Sequence, residues 1–382
     1  MSRQTKGLFE APSSQAARRP VGKVLILIAV LLSAARLGAE VLKLLSYADV
    51  LIGGGKMLIY GDVRRVDMGD SISNKDVNLP IYTEIPDDGP SDDMIIKLND
   101  GMTILYQGHT YELNQDLITV LLLGIDRSIQ DETIAGNGGQ SDVILLMGLD
   151  TATGKATLLN ISREANAQVD VYSADGFKFI ETRFEQITLA YAYGNGRETS
   201  CENTLRSVSR LLFGLPISSY LALDMDGLKE ANETVGGVKL KSLIDIHMPD
   251  GAFVREGELV ELHGNNLERY IRTRTSELDA NAKRMERQKQ FLTEFAKLAT
   301  AKARQKLTYP VDLFSTLSPY VVTDLEIPDV TFLSSTFLKH GANFDFRSID
   351  GSFGKFNGST VYYLDEVDLF EAVLQVFYRC VD

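Results

Sequence analysis

The chain has 382 residues, 44% hydrophobic and 24% charged, enough to bury a substantial core in one large domain or two modest ones. Its formal net charge of −13 excludes bulk binding to nucleic acid, so any phosphate site must be a local arginine cluster on an acidic background. Two cysteines exclude a disulfide-rich scaffold, and four histidines without i,i+4 pairing argue against imidazole-built metal sites while leaving oxygen-ligand sites open.

Residues 1–22 form a basic tail with Arg3, Lys6, Arg18 and Arg19. Val24–Ala35 follows as an apolar run broken only by Ser33, shorter than the roughly 20 residues that cross a bilayer. Arg36, Glu40 and Lys43 interrupt its continuation to Leu45. A central arginine costs about 3 kcal/mol of insertion and each Leu, Ile or Val returns about 0.3–0.6, so the run offsets one such residue. Two readings compete: an uncleaved anchor over 23–45 with its basic end inside, and a signal peptide cut near Ser33-Ala34-Ala35. The basic flank satisfies the positive-inside rule, so export is expected over a cytosolic amphipathic helix.

Residues 46–92 read as a spacer, with Gly53-Gly-Gly55 near its start and Pro86-Asp-Asp-Gly-Pro90 near its end. Met94–Leu98 and Met102–Tyr106 flank Asn99-Asp-Gly101, a hairpin signal that Tyr111–Leu113 extends. This hairpin is expected to join the sheet of the next strand.

Ile118–Leu123, Val143–Leu149 and Ala156–Ile161 are short, apolar, partly β-branched runs that suit buried strands. Asp150-Thr-Ala-Thr-Gly154 makes the last two a hairpin. With the first two runs also antiparallel, Asp126, Asp142 and Arg163 meet at one rim of the sheet. Each aspartate alone reads as a turn residue; together they suit Mg²⁺ bound with substrate phosphates. Gly136-Asn-Gly-Gly139 lacks the Gly-Lys-Ser/Thr of a phosphate loop and reads as a flexible connector.

Further on, Leu205, Val208, Leu211 and Leu212 stripe a helix over 199–213, stopped by Gly214-Leu-Pro216. Tyr220–Leu223 reads as a strand, Asp226–Thr234 as a helix, and Gly236-Gly237 as a turn into Val238–Leu243. This alternation places the chain in the α/β class. Arg272 and Arg274, two apart, point the same way on an extended segment. Arg284, Gln288, Phe291, Phe295 and Leu298 form one helical stripe, with Arg287 on its flank. Inward-facing guanidiniums need anions, either protein carboxylates or a bound phosphate. The final part ends in a helix over 364–378 with Val367, Phe370, Val373, Leu374 and Phe377 on one face. Cys201 and Cys380 leave a disulfide open, and no Ser/His/Asp or Cys/His arrangement supports covalent catalysis.

Seven motifs follow in order: LLLGID (121–126), Ser141-Asp142, LLNISRE (158–164), AYAYG (190–194), Gly236-Gly-Val238, IRTR (271–274) and RMERQKQ (284–290). Together they resemble the LytR–CpsA–Psr family. The resemblance covers about 118–298 and implies an α/β/α sandwich with a central mixed β-sheet, a long apolar lipid pocket and one N-terminal transmembrane helix. It divides the chain into a cytoplasmic tail 1–22, an anchor 23–45, a spacer 46–92 and a catalytic domain 93–382, whose extension spans 305–382. It implies an extracytoplasmic enzyme, Mg²⁺-assisted, that moves an anionic glycopolymer (a teichoic acid or capsule) from undecaprenyl pyrophosphate to peptidoglycan in Gram-positive cell walls. Asp126 and Asp142 match the metal-linked aspartates. Arg163, Arg272, Arg274, Arg284 and Arg287, with Gln288, match the pyrophosphate-binding set. Gln140 stands where the family usually carries arginine, and Ser162 and Glu164 replace its Pro and Asp. Asp279 is a displaced match to the acidic residue before the arginine helix. A non-catalytic polyprenyl-phosphate binder or sensor is the alternative, motivated by Gln140. A cytosolic transcriptional regulator fits poorly, because the basic residues precede an apolar run and the chain is acidic.

Overall fold

The computed structural model describes residues 81–83, 85, 94–129, 138–173, 178–273, 280–306, 308–340 and 343–382. The expected tail and anchor, most of the spacer, Gly136, Arg274 and Asp279 lie outside the described residues. Among the described residues, no helix is long and apolar enough to cross a membrane.

The chain opens with β1 (Ile81–Tyr82), β2 (Ile95–Leu98), β3 (Thr103–Tyr106) and β4 (His109–Leu113). Asn99, Asp100 and Gly101 all adopt positive φ, which closes the expected β2–β3 turn. Three long strands follow, β5 (Leu117–Ile125), β6 (Ser141–Asp150) and β7 (Lys155–Ile161), then the hairpin β8 (Asn166–Tyr172) and β9 (Phe179–Gln186). Next come α1 (Leu189–Ala192), α2 (Glu198–Leu211), β10 (Ser219–Leu223) and α3 (Met225–Val235). Short strands β11 (Val238–Lys241), β12 (Ile246–His247), β13 (Phe253–Val254) and β14 (Leu259–Leu262) lead into α4 (Gly264–Arg272), α5 (Ala280–Gln305) and α6 (Tyr309–Leu317). The chain finishes with β15 (Val321–Thr323), α7 (Ile327–His340), β16 (Asn343–Ser348), β17 (Gly351–Phe356), β18 (Ser359–Leu364), α8 (Glu366–Phe377) and β19 (Tyr378–Cys380).

The central sheet is mixed, in the order β15-β10-β5-β6-β7-β16. β5, β6 and β7 pair antiparallel, whereas β10 joins β5 and β16 joins β7 in parallel. All nine residues of β5 are buried, because alternate side chains enter two cores. Leu121, Leu123 and Ile125 face α2 and α8, where Val208, Leu211, Phe370, Val373 and Phe377 lie. Ile118, Val120 and Leu122 face Val330 and Leu333 of α7. Each such buried aliphatic contributes about 1.5–3 kcal/mol. Gly148 has no side chain because α8 comes so close: a Cβ there would lie 2.8 Å from Val376 Cγ1. A further apolar cluster joins α3, α4, α5 and α6 to β11 and β14, with Phe291 and Phe295 of the expected stripe at its centre.

Two expectations require correction, and the disulfide left open is decided. The β2–β3 hairpin does not join the central sheet; it forms a separate sheet, β1-β2-β3-β4-β19. Asn114 turns the chain out of it, its N–H donating to Phe377 O and its side-chain oxygen accepting from Asp116 N–H. On α8, Val367 is 49% exposed, so the buried face begins at Leu369 and Phe370. Cys201 is buried and Cys380 exposed, and both are free thiols.

Candidate functional site

The β5–β6–β7 register brings the predicted acidic rim together. A register shift at Gly124/Ile125 ends β5, and Asp126 follows. Asp126 Oδ1 accepts the main-chain N–H of Gln140 at 2.7 Å, while Asp126 N–H donates to Gln140 O at 3.2 Å. Two residues on, at the start of β6, Asp142 accepts from Arg163 Nη1, an ion pair across the β6–β7 edge. Arg163 Nη2 also donates to the Gln140 side-chain oxygen at 3.4 Å, and its Nε lies 3.3 Å from Glu164 Oε1. The Arg163 side chain is 35% exposed and that of Asp142 24%, so the cluster faces solvent.

Glycine makes this rim possible. Gly139 has φ +84°, and a Cβ there would lie 3.0 Å from Asp126 Oδ1. At Gly138 a Cβ would meet Gly196 Cα at 2.8 Å. The Gly138–Gly139 pair is therefore closely fitted against the rim, while the first half of the expected connector lies outside the described residues.

Asp224, which the sequence reading missed, fixes the loop after Asp126. At the end of β10 it caps α3 by accepting Gly227 N–H at 2.7 Å, and it accepts Ile129 N–H at 2.8 Å. Burial pushes its carboxyl above the ordinary range, against these two amide bonds. Its one sequence signal is the N-cap position before a helical stretch. Arg197 Nη1 adds a bond to Ile129 O at 3.3 Å.

The arginine cluster is only partly in view. Arg272 is the last residue of α4, not part of an extended segment, because Leu267, Tyr270 and Ile271 give that stretch a helical buried face. It pairs with Glu268 at 2.7 Å and is 48% exposed. Arg287 of α5 is fully buried, donating to Tyr270 O at 3.0 Å and to Thr273 O. Burial lowers its pKa, and its guanidinium carbon stands 5.9 Å from the Tyr270 ring. Arg287 thus ties α5 to the end of α4. Its Nη1 has no hydrogen-bond partner among the described residues. Arg284 and Gln288 lie on α5, but their side chains are outside what is described.

Residues 91–375 match the sequence profile of the LytR_cpsA_psr family. The chain belongs to this family. Among its relatives is the polyisoprenyl-teichoic acid–peptidoglycan teichoic acid transferase TagU of Oceanobacillus iheyensis, 24% identical over 268 residues, which are 68% of this chain and 76% of that protein. TagV of Bacillus subtilis, of the same printed activity, is 26% identical over 189 residues, covering 47% of this chain and 43% of that protein. The crystal structure of B. subtilis TagV aligns with a TM-score of 0.51 at 21% identity, over 68% of this chain and 96% of that one. Protein gbs0355 of Streptococcus agalactiae aligns at 0.53 and 20%, over 68% and 86%. These structural likenesses establish the shared mixed α/β fold. Within the LytR_cpsA_psr pattern, the Ser141-Asp142 pair and Arg163 sit on adjacent strand ends, as their motifs imply.

Proposed function

We propose that this LytR_cpsA_psr protein is an extracytoplasmic phosphotransferase, anchored through 23–45, that moves an anionic glycopolymer from undecaprenyl pyrophosphate to peptidoglycan. The observation that carries this reading is the convergence of Asp126, Asp142 and Arg163 at one solvent-facing sheet rim in a chain whose relatives are named teichoic acid transferases.

Two carboxylates with no sulfur or imidazole beside them suit a hard cation such as Mg²⁺. Asp126 Oδ2 takes no hydrogen bond from a described residue, leaving an oxygen for a ligand. Bound there, Mg²⁺ would neutralise pyrophosphate oxygens. Arg163, released from Asp142, turns its guanidinium to the phosphate and offsets charge on the departing polyprenyl phosphate. Arg272, Arg274, Arg284 and Gln288 extend that binding surface, whereas Arg287, buried against Tyr270 and Thr273, holds α5 in place and does not reach a solvent-facing phosphate. In the transfer, an acceptor hydroxyl oxygen bonds the glycopolymer-side phosphorus and gives its proton to a carboxylate, Asp126 or Asp142, while the bond to the polyprenyl phosphate breaks and its electron pair leaves with that phosphate.

The test uses the full chain with a lipid-pyrophosphate glycan, Mg²⁺ and peptidoglycan. Arg163→Ala and Asp126→Asn are each expected to lower transfer by about 10²–10³ while the thermal midpoint holds. Transfer at the original rate in either variant would sink the assignment. One observation favours a second reading, a binder without turnover: glutamine, not arginine, occupies position 140 beside Arg163. Tight lipid binding with no product would support it. Protease digestion of intact cells reports the side of the membrane on which the domain lies.

A further inference from the structure

The four histidines read from sequence as unsuited to an imidazole-built metal site, because none pairs at i,i+4. The pairing of β4 with β19 changes that for His109. Tyr378 faces Leu113 and Cys380 faces Tyr111 in antiparallel register, and Val381 N–H continues the ladder to Thr110 O at 3.0 Å. Side chains of opposed residues share a face, and so do those two apart on one strand. Cys380, Asp382 and His109 are therefore brought to one face of the small sheet. Asp382 Oδ1 lies 3.3 Å from His109 Nδ1 and 3.3 Å from Cys380 Sγ, and the three ligand atoms all fall within 4.8 Å of one another.

We propose that His109, Cys380 and Asp382 form a binding site for a borderline-soft divalent cation, Zn²⁺ before others. Tetrahedral zinc with bonds of about 2.0–2.3 Å spaces its ligand atoms about 3.3–3.7 Å apart, and the two separations to Asp382 Oδ1 lie at the lower end of that span. A thiolate, an imidazole and a carboxylate select zinc over Mg²⁺ or Ca²⁺, which prefer oxygen alone. The carboxylate is held ready from behind, since Asp382 Oδ2 accepts Thr110 N–H at 2.8 Å, the outer bond that orients a metal-binding carboxylate. All three residues are exposed, so the fourth position is open to water.

This site is separate from the acidic rim. Arg379, the neighbour of Cys380, bonds Asp150 at the last position of β6, whereas Asp142 stands at the second. Eight residue steps of extended strand separate those two aspartates, about 27 Å. The chain thus offers an all-oxygen pair at one end of β6 and a sulfur–nitrogen–oxygen set near the other. Bound zinc would cross-link β19 to β4.

The experiment titrates the full chain, purified in detergent with its thiols reduced, with Co²⁺ and then Zn²⁺. One equivalent of Co²⁺ is expected to give the near-ultraviolet thiolate charge-transfer band, and Zn²⁺ to displace it. Cys380→Ser should abolish the band, while Cys201→Ser and Asp126→Asn should leave it intact. His109→Gln should weaken Zn²⁺ binding by about tenfold or more, since even outer-shell changes cost that much. No thiolate band in the unaltered chain, or a band that survives Cys380→Ser, overturns the site.

Discussion

Gln140 holds Asp126 through the main chain: its N–H reaches Asp126 Oδ1 at 2.7 Å, while its side chain separately meets Arg163. The position of Asp126 is therefore independent of which side chain occupies residue 140. Gln140→Arg should add a guanidinium beside Arg163 without moving the aspartate. A charge-assisted bond to phosphate is worth about 1.5–3 kcal/mol, so lipid-pyrophosphate affinity is expected to rise about tenfold or more. Equilibrium binding to detergent-dispersed lipid measures it, and unchanged affinity would show that position 140 does not reach the phosphates.

Gly139→Ala tests the backbone beneath the rim. A methyl group at φ +84° would press on Asp126 Oδ1 and Arg127 Cβ. The expected cost is about 1–2 kcal/mol in urea unfolding, accompanied by a fall in transfer because Asp126 is displaced. Gly108→Ala, also at positive φ but in open space, is the control that keeps full transfer.

Asp170 of β8 anchors α2 to the β8–β9 hairpin. It accepts from Arg210 at 2.7 and 3.1 Å, from Arg206 at 3.4 Å and from Thr182 at 2.6 Å. Burial alone pushes its carboxyl up, but Arg210, Thr182 and Arg206 together hold it below its ordinary value near 3.8. A depressed folded-state pKa contributes stability above the unfolded value and loses it as pH falls through the folded one. Acid unfolding should therefore set in below about pH 4 and be less steep in Asp170→Asn. At neutral pH that variant is expected to lose about 2–3 kcal/mol, less than for a fully buried pair because both arginines are partly solvated.

His263 predicts the opposite pH trend. Glu233 at 2.8 Å and Glu261 at 3.2 Å raise its pKa above 6.5, with Lys239 on the far side of Glu261. A raised folded-state value means the contribution is complete below the unfolded pKa and disappears as pH rises through the folded one. The thermal midpoint should decline as pH rises above about 6.5, and His263→Gln should flatten that decline.

The central strands were legible because their apolar runs are short, partly β-branched and joined by a tight turn, and two strand ends then locate Asp142 and Arg163. Arg272 misled, since a two-residue spacing carries no helical signal and the buried face of α4 lies in Leu267, Tyr270 and Ile271 before it. Arg287 looked like the flank of a stripe yet is buried, because its acceptors are main-chain carbonyls that no side-chain pattern encodes. Asp224 and the small sheet escaped for a common reason. Their partners, Ile129 for the one and β19 for the other, lie far away along the chain, where local periodicity is silent.

The small sheet has a consequence for biosynthesis. Tyr378 Oη donates to Gly101 O at 2.8 Å, a contact between residues 277 positions apart. A ribosome adding about 5–20 residues per second takes tens of seconds to make the intervening chain. Throughout that interval the β4 edge is an unpaired ladder of amides and carbonyls, open to whatever strand arrives first. Until β19 is made, β4 therefore lacks the strand that covers its outer edge.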